Sequence, residues 1–199
     1  RYRIEGRTDH NSSWVIIEDY VVAQEFQRAG INTKVHGRRQ YILKNKLSPW
    51  AAYQFRIAGY NDLGLGEYSL PSPRYSTLPD KPTKAPTNVR GGGGKSGDLT
   101  IMWDPLPKQE QNAPGLYYRV YYRRTGVDPE RDFQQKTLKG LGNIGIYVVR
   151  ISRKYFWTEY EVKIQVFNDM CEEPECNGPV SEPVTITSAE DLPQVAPTQ

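Results

Sequence analysis

The sequence predicts an all-β chain of two tandem units, each a two-sheet sandwich, and three observations carry that prediction. Apolar and polar side chains alternate with a period of two: Tyr118, Val120 and Tyr122 with Arg119, Tyr121 and Arg123, and Tyr160, Val162, Ile164 and Val166 with polar or larger neighbours. A strand with one buried face produces that period. Gly (17 residues) and Pro (15 residues) cluster with Asn and Asp between these runs, as turns require, and no amphipathic helix emerges. The chain also repeats itself. Tyr53–Asp62 aligns without gaps on Tyr160–Asp169, Pro82 and Ala85–Thr87 on Pro193 and Ala196–Thr198, and Tyr2–Ile4 on Tyr118–Val120. Three matches at nearly one offset, about 110 residues, mean tandem copies of one domain.

Composition narrows the function classes. Hydrophobic residues make up 37% of the 199, and the 14 Tyr far outnumber the 5 Phe, which suits short strands over a helix bundle. No run approaches the roughly 18 apolar residues that a membrane span needs. The net charge of +3, from 26 basic and 23 acidic residues, is spread singly and lacks the concentrated basic stripe of a nucleic-acid module. Regular aromatic and β-branched runs argue against disorder. With Arg1 first and no leader pattern, the sequence is expected to be a piece of a longer chain.

Taken in order, Tyr2-Arg3-Ile4 opens a strand, and the polar loop after it carries the sequon Asn11-Ser12-Ser13. Tyr53–Asp62 is the long strand of the first unit. The first unit is expected to span 1–79, followed by a stiff Pro-rich linker at 80–86, because Pro79, Pro82 and Pro86 cannot donate to a sheet ladder. The second unit, 87–189, has strands expected near Leu99–Trp103, Tyr117–Arg124, Ile146–Ile151, Tyr160–Asn168 and Pro183–Ile186. Residues 190–199 repeat the linker composition and are expected to lead into a following domain. About thirty residues precede Tyr118 in its unit, whereas Tyr2 stands near the start of the chain, so the first unit is expected to lack its two N-terminal strands in this fragment.

A family resemblance follows from particular residues. Leu47-x-Pro49-x3-Tyr53-x-Phe55-x-Ile57-x3-Asn61 resembles the corner and F strand of fibronectin type III domains. Trp103 resembles their strand-B tryptophan, and Tyr118-x-Val120 their strand C. More narrowly, Ala85-Pro86-Thr87-Asn88-Val89-Arg90 with Gly91–Gly94, then Leu99–Trp103, resembles the second fibronectin repeat of contactins. The Leu47–Trp50 corner and the Ser188–Asp191 exit resemble that family too. The resemblance implies an extracellular, glycolipid-anchored adhesion protein at cell junctions, with immunoglobulin-like domains upstream. It also implies partners among other cell-surface adhesion proteins, in cis or trans, and no cofactor, nucleic acid or small-molecule substrate. Alternatives are the ectodomain of a receptor tyrosine phosphatase or kinase, and a cytokine-type receptor, although the W-S-x-W-S signature of the latter is missing.

The candidate residues divide into structural and interacting sets. Cys171 and Cys176 follow strand F in a C-x4-C spacing; a disulfide there closes a short ring worth about 2–3 kcal/mol, free thiols stay open as an alternative, and a metal or redox role lacks nearby ligands. Asn11 is the glycosylation candidate. Tyr53 and Tyr160 resemble the tyrosine corner, whose hydroxyl bonds backbone before strand F. The Gly91–Gly94 run with Lys95-Ser96 is not a phosphate loop, because a strand follows where that motif needs a helix. His10 and His36 lack a matching nucleophile motif, so no enzyme is expected.

If Tyr118, Val120, Tyr160, Val162 and Ile164 point inward, then Arg119, Tyr121, Arg123, Glu161, Lys163 and Phe167 point outward. Arg119, Tyr121, Arg123 and Lys163 then make a candidate interaction face, with Arg3, Arg7, Arg56 and Tyr60 in the same positions of the first unit. Arg and Tyr suit partner contact; sulfated glycan and a plain solvated sheet are the other readings.

Overall fold

In the computed structural model, residues 1–22, 27–28, 39–92, 97–126, 133–140, 143–170, 174–175 and 177–190 are described. The chain divides into two compact units, Arg1–Leu78 and Pro79–Gln199.

In the first unit β1 (Tyr2–Thr8), β2 (Val15–Val21), β5 (Ala52–Asn61), β6 (Gly64–Tyr68) and β7 (Tyr75–Ser76) form one antiparallel sheet of order β2-β1-β5-β6, with β7 also on β5. The short strands β3 (Gln27–Arg28) and β4 (Arg39–Gln40) pair with each other. The register sets Ile4 opposite Ile57 and Gly6 opposite Phe55 on one face, and Glu5 opposite Arg56 and Arg7 opposite Gln54 on the other. A small core of Ile4, Val21, Ala51, Tyr53 and Ala58 is buried on folding. Among the described residues this unit shows one face of a sandwich, with Phe55 and Ile57 only partly covered.

The second unit is a complete sandwich. One sheet has the order β12-β9-β8, from β8 (Thr87–Gly91), β9 (Asp98–Asp104) and β12 (Ile146–Arg150). The other has the order β11-β10-β13-β14, from β10 (Tyr117–Arg124), β11 (Gln134–Leu138), β13 (Glu159–Phe167) and β14 (Asn177–Val180), with β15 (Val184–Thr187) also on β13. Leu99, Ile101 and Trp103 from one sheet meet Tyr118, Val120, Val162, Ile164 and Val166 from the other, all at or near zero exposure. The Trp103 ring meets Tyr118 edge-on, with centroids 5.4 Å apart. That interior supplies the bulk of the hydrophobic stabilisation, at about 25 cal/mol for each Å² of apolar surface removed from water. At Gly91 a β-carbon would lie 2.3 Å from Cγ2 of Ile186, so only glycine lets β8 approach β15.

The Pro-rich stretch, expected to be a stiff linker at 80–86, is part of the second unit. The division falls between Leu78 and Pro79, and the stretch docks on the second unit. Pro82 and Pro86 are buried. Prolines offer no N–H, so side-chain amides take over the bonding: Asn168 Nδ2 donates to Asp80 O at 2.8 Å and Asn112 Nδ2 to Lys81 O at 3.0 Å, while Asp80 N donates to Asn112 O at 2.9 Å.

Candidate interaction face

The outward face of the β11-β10-β13 sheet is an interleaved row of cations and aromatic rings. The β10–β13 register sets Tyr117 opposite Phe167, Arg119 opposite Gln165, Tyr121 opposite Lys163 and Arg123 opposite Glu161. Tyr117 and Phe167 stack at 5.1 Å, and the Arg119 guanidinium lies 4.6 Å over Phe167 while its Nε donates to Thr137 Oγ1 at 3.0 Å. The Tyr121 hydroxyl donates to Gln165 Oε1 at 2.8 Å. Phe133 is flanked by Lys163 Nζ at 4.3 Å and by the Arg123 guanidinium at 4.5 Å. Arg123 Nη2 also pairs with Glu161 Oε2 at 2.6 Å.

The structure thus places Arg119, Tyr121, Arg123 and Lys163 side by side on one face, each half-buried and each engaged with a neighbour. Phe167 keeps the outward register expected of it but is fully buried, covered by Tyr117 and the Arg119 guanidinium. Long cationic side chains lie flat over apolar surface while their charged ends stay wet, which is what these do.

The first unit builds the same face with different partners. Arg3 holds Asp19 in a fork, Nε to Oδ1 at 3.1 Å and Nη2 to Oδ2 at 2.7 Å, and the Tyr60 hydroxyl donates to Asp19 Oδ1 at 2.9 Å. Arg3 holds the Asp19 carboxyl below the usual carboxylate range. The Tyr60 hydroxyl, withdrawn from water and donating to Asp19, is pushed up to about 12. Arg56 donates to Glu5 Oε2 through Nε at 2.8 Å and Nη2 at 2.6 Å, and the Tyr68 hydroxyl donates to Glu5 Oε1. Burial pushes the Glu5 carboxyl up, but the Tyr68 and Arg56 bonds outweigh it and leave it below its ordinary value. Trp14 takes the Arg7 and Arg56 guanidinia at 4.6 and 4.5 Å from its ring centre. Trp14, Asp19, Tyr68 and Phe133 were not picked out from the sequence, because each lies on a different segment from the arginine it meets.

The tyrosines part company. Ser48 N donates to the Tyr53 hydroxyl at 2.9 Å, five residues back. Before Tyr160 the backbone bonds run elsewhere: Tyr155 N to Ser152 O and Thr158 N to Ser188 Oγ. The buried backbone-to-phenol bond of the second unit belongs to Tyr118, whose hydroxyl accepts Leu106 N–H at 2.9 Å. Asn11 is exposed in the turn between β1 and β2, with its Oδ1 accepting Ser13 N–H at 3.0 Å and its backbone N donating to Thr8 Oγ1 at 3.0 Å. Cys171, Cys176, His36 and the tail from 191 lie outside the described residues. Among the described residues no cluster of His, Cys, Asp or Glu could hold a metal ion.

Two sheets closing over a Trp/Tyr core, in the order found for the second unit, define a fibronectin type III domain. No protein-family model matches the chain. It is 44% identical over 98% of its length to Contactin of Drosophila melanogaster, covering 13% of that protein, and 33% identical over its whole length to human Contactin-3, covering 17%. It is 32% identical over 97% of its length to the mouse neural cell adhesion molecule L1-like protein, covering 15%. The crystal structure of chicken CNTN1 FN1-FN3 domains superimposes with a TM-score of 0.72 at 30% identity, over 97% of this chain and 58% of that one. These homologues make the chain a contactin-like fibronectin type III fragment, and it spans 13–17% of the length of these relatives.

Proposed function

We propose that this chain is an extracellular segment of a contactin-like cell-adhesion protein, its first and second fibronectin repeats, serving as spacer and protein-interaction module between cells. The 44% identity over nearly the whole chain to Contactin carries this reading. In it, partners are other cell-surface proteins, met in cis or trans through complementary surface, and weak single contacts are multiplied by many copies on two membranes. No reaction is catalysed. The Arg119–Tyr121–Arg123–Lys163 face is the surface offered, and its preformed stacking reduces the side-chain entropy lost on contact. Among the described residues no helix is long and apolar enough to cross a membrane, and anchorage through a glycolipid is carried over from the resemblance. Asn11 carries a glycan in this reading, and Cys171 and Cys176 form a disulfide.

The test is the intact mass of the chain secreted from animal cells behind a signal peptide. Glycosidase should remove a glycan, and the cysteines should alkylate only after reduction. An unglycosylated chain with two free thiols would move the protein to an intracellular setting and end the adhesion reading.

A further inference from the structure

A cleft of about 370 Å3 opens on the second unit where its two sheets part, between the ends of β10 and β12. Arg124 stands in it at the end of the core-facing row Tyr118, Val120, Tyr122. Its guanidinium lies 3.8 Å over the Tyr155 ring, and no carboxylate pairs with it among the described residues. The other two arginines of the cleft are held by carboxylates, Arg123 by Glu161 and Arg150 by Asp98. Tyr122, Tyr155 and Tyr160 also line it, and none of their hydroxyls has a hydrogen-bond partner among the described residues. Burial raises the Tyr122 and Tyr160 hydroxyls above their ordinary value, so both keep their protons at neutral pH and can donate.

Among the described residues, one guanidinium without a carboxylate beside three phenols without hydrogen-bond partners is a set of donors suited to an oxyanion that also carries hydroxyl groups. The volume lies within the range of small-ligand pockets, about 300–1,000 Å3. The geometry points to this cleft as a binding site for a sulfated sugar unit of an extracellular glycan, the sulfate on Arg124 and the ring hydroxyls on the phenols. Arginine engages a tetrahedral oxyanion through two N–H groups at once, and phenols both donate to and accept from sugar hydroxyls. A sulfotyrosine peptide would use the same arginine but would leave the phenols without partners, so the glycan is favoured. Choosing a glycan rests on the extracellular reading above; binding here and secretion there are separate measurements and can fail separately.

The test is a titration of the isotope-labelled chain with a trisulfated heparin disaccharide, followed by amide chemical shifts. Shifts should concentrate at Arg124, Ser152 and Tyr155 and be absent with the desulfated sugar. Arg124→Gln should weaken binding about tenfold, as expected for loss of a charge-assisted pair. Arg124→Lys should weaken it less, and Tyr155→Phe should weaken it while keeping the ring under the guanidinium. Lys108→Gln, an exposed residue near Leu106 and outside the cleft lining, should leave it unchanged. Thermal midpoints of all four variants show whether the fold survives. The proposal falls if the cleft amides do not move, if Lys108→Gln costs as much as Arg124→Gln, or if a sulfotyrosine peptide binds more tightly than the sugar.

Discussion

Replacing Tyr118 by Phe deletes one oxygen and keeps the ring that packs against Trp103. That oxygen accepts the Leu106 N–H at 2.9 Å, with Tyr118 at 0% exposure and Leu106 at 5%. Water cannot take its place, so the variant strands a buried donor, and the cost is the desolvation of that group, about 1–3 kcal/mol. The paired control is Tyr160→Phe, whose hydroxyl faces the cleft without a hydrogen-bond partner among the described residues; it should cost no more than about 0.5 kcal/mol, the usual range for sites away from such features. At about 4 °C per kcal/mol for a domain of this size, the Tyr118 variant should melt about 4–12 °C lower and the Tyr160 variant within about 2 °C of the parent. Calorimetry of the second unit's transition measures both, and urea titration followed by Trp103 fluorescence checks that the m-value is unchanged. Equal losses, or a larger loss at Tyr160, would refute the assignment of the buried phenol bond to Tyr118.

Three further outcomes are expected. Arg119→Gln with Arg123→Gln should lower stability by only about 0.5–1 kcal/mol per site, because half-exposed ion pairs and cation–ring contacts are worth that much; a loss above about 4 kcal/mol would show the face to be structural. Gly91→Ala should destabilise the second unit by about 1–3 kcal/mol, since the new β-carbon meets Ile186 at 2.3 Å, and an unchanged urea midpoint would disprove that close approach. Asp19 titrates below its ordinary 3.8 in the folded protein, so its contribution is present above that value and lost as pH falls through the lower, folded one. The first unit should therefore weaken steeply below about pH 4, and Asp19→Asn should flatten that limb; an identical acid profile in the variant would sink the argument.

Much of the fold is legible in the chain order of its residues. Alternation along Tyr118–Tyr122 and Tyr160–Val166 assigns two facing strands and the inner face of each, because a strand's side chains can point only two ways. The offset of about 110 residues between Tyr53–Asp62 and Tyr160–Asp169 reveals the tandem arrangement, because two copies of one domain carry the same pattern. The cysteine pair stands as the sequence left it, outside the described residues.

Other features needed the third dimension. Phe167 follows the outward parity yet is buried, since parity names a direction and cannot tell that Arg119 and Tyr117 will close over it. The docking of the Pro-rich stretch depends on Asn168, a neighbour 88 positions away, and no local pattern encodes such a bond. The same holds for Tyr118 taking the phenol bond and for Arg124 lying over the Tyr155 ring. Local chemistry decides which way a side chain points and whether the backbone extends. Which polar groups find each other, and which are left unpaired, is decided only when segments distant in sequence are brought to within about 3 Å, the range over which a hydrogen bond forms.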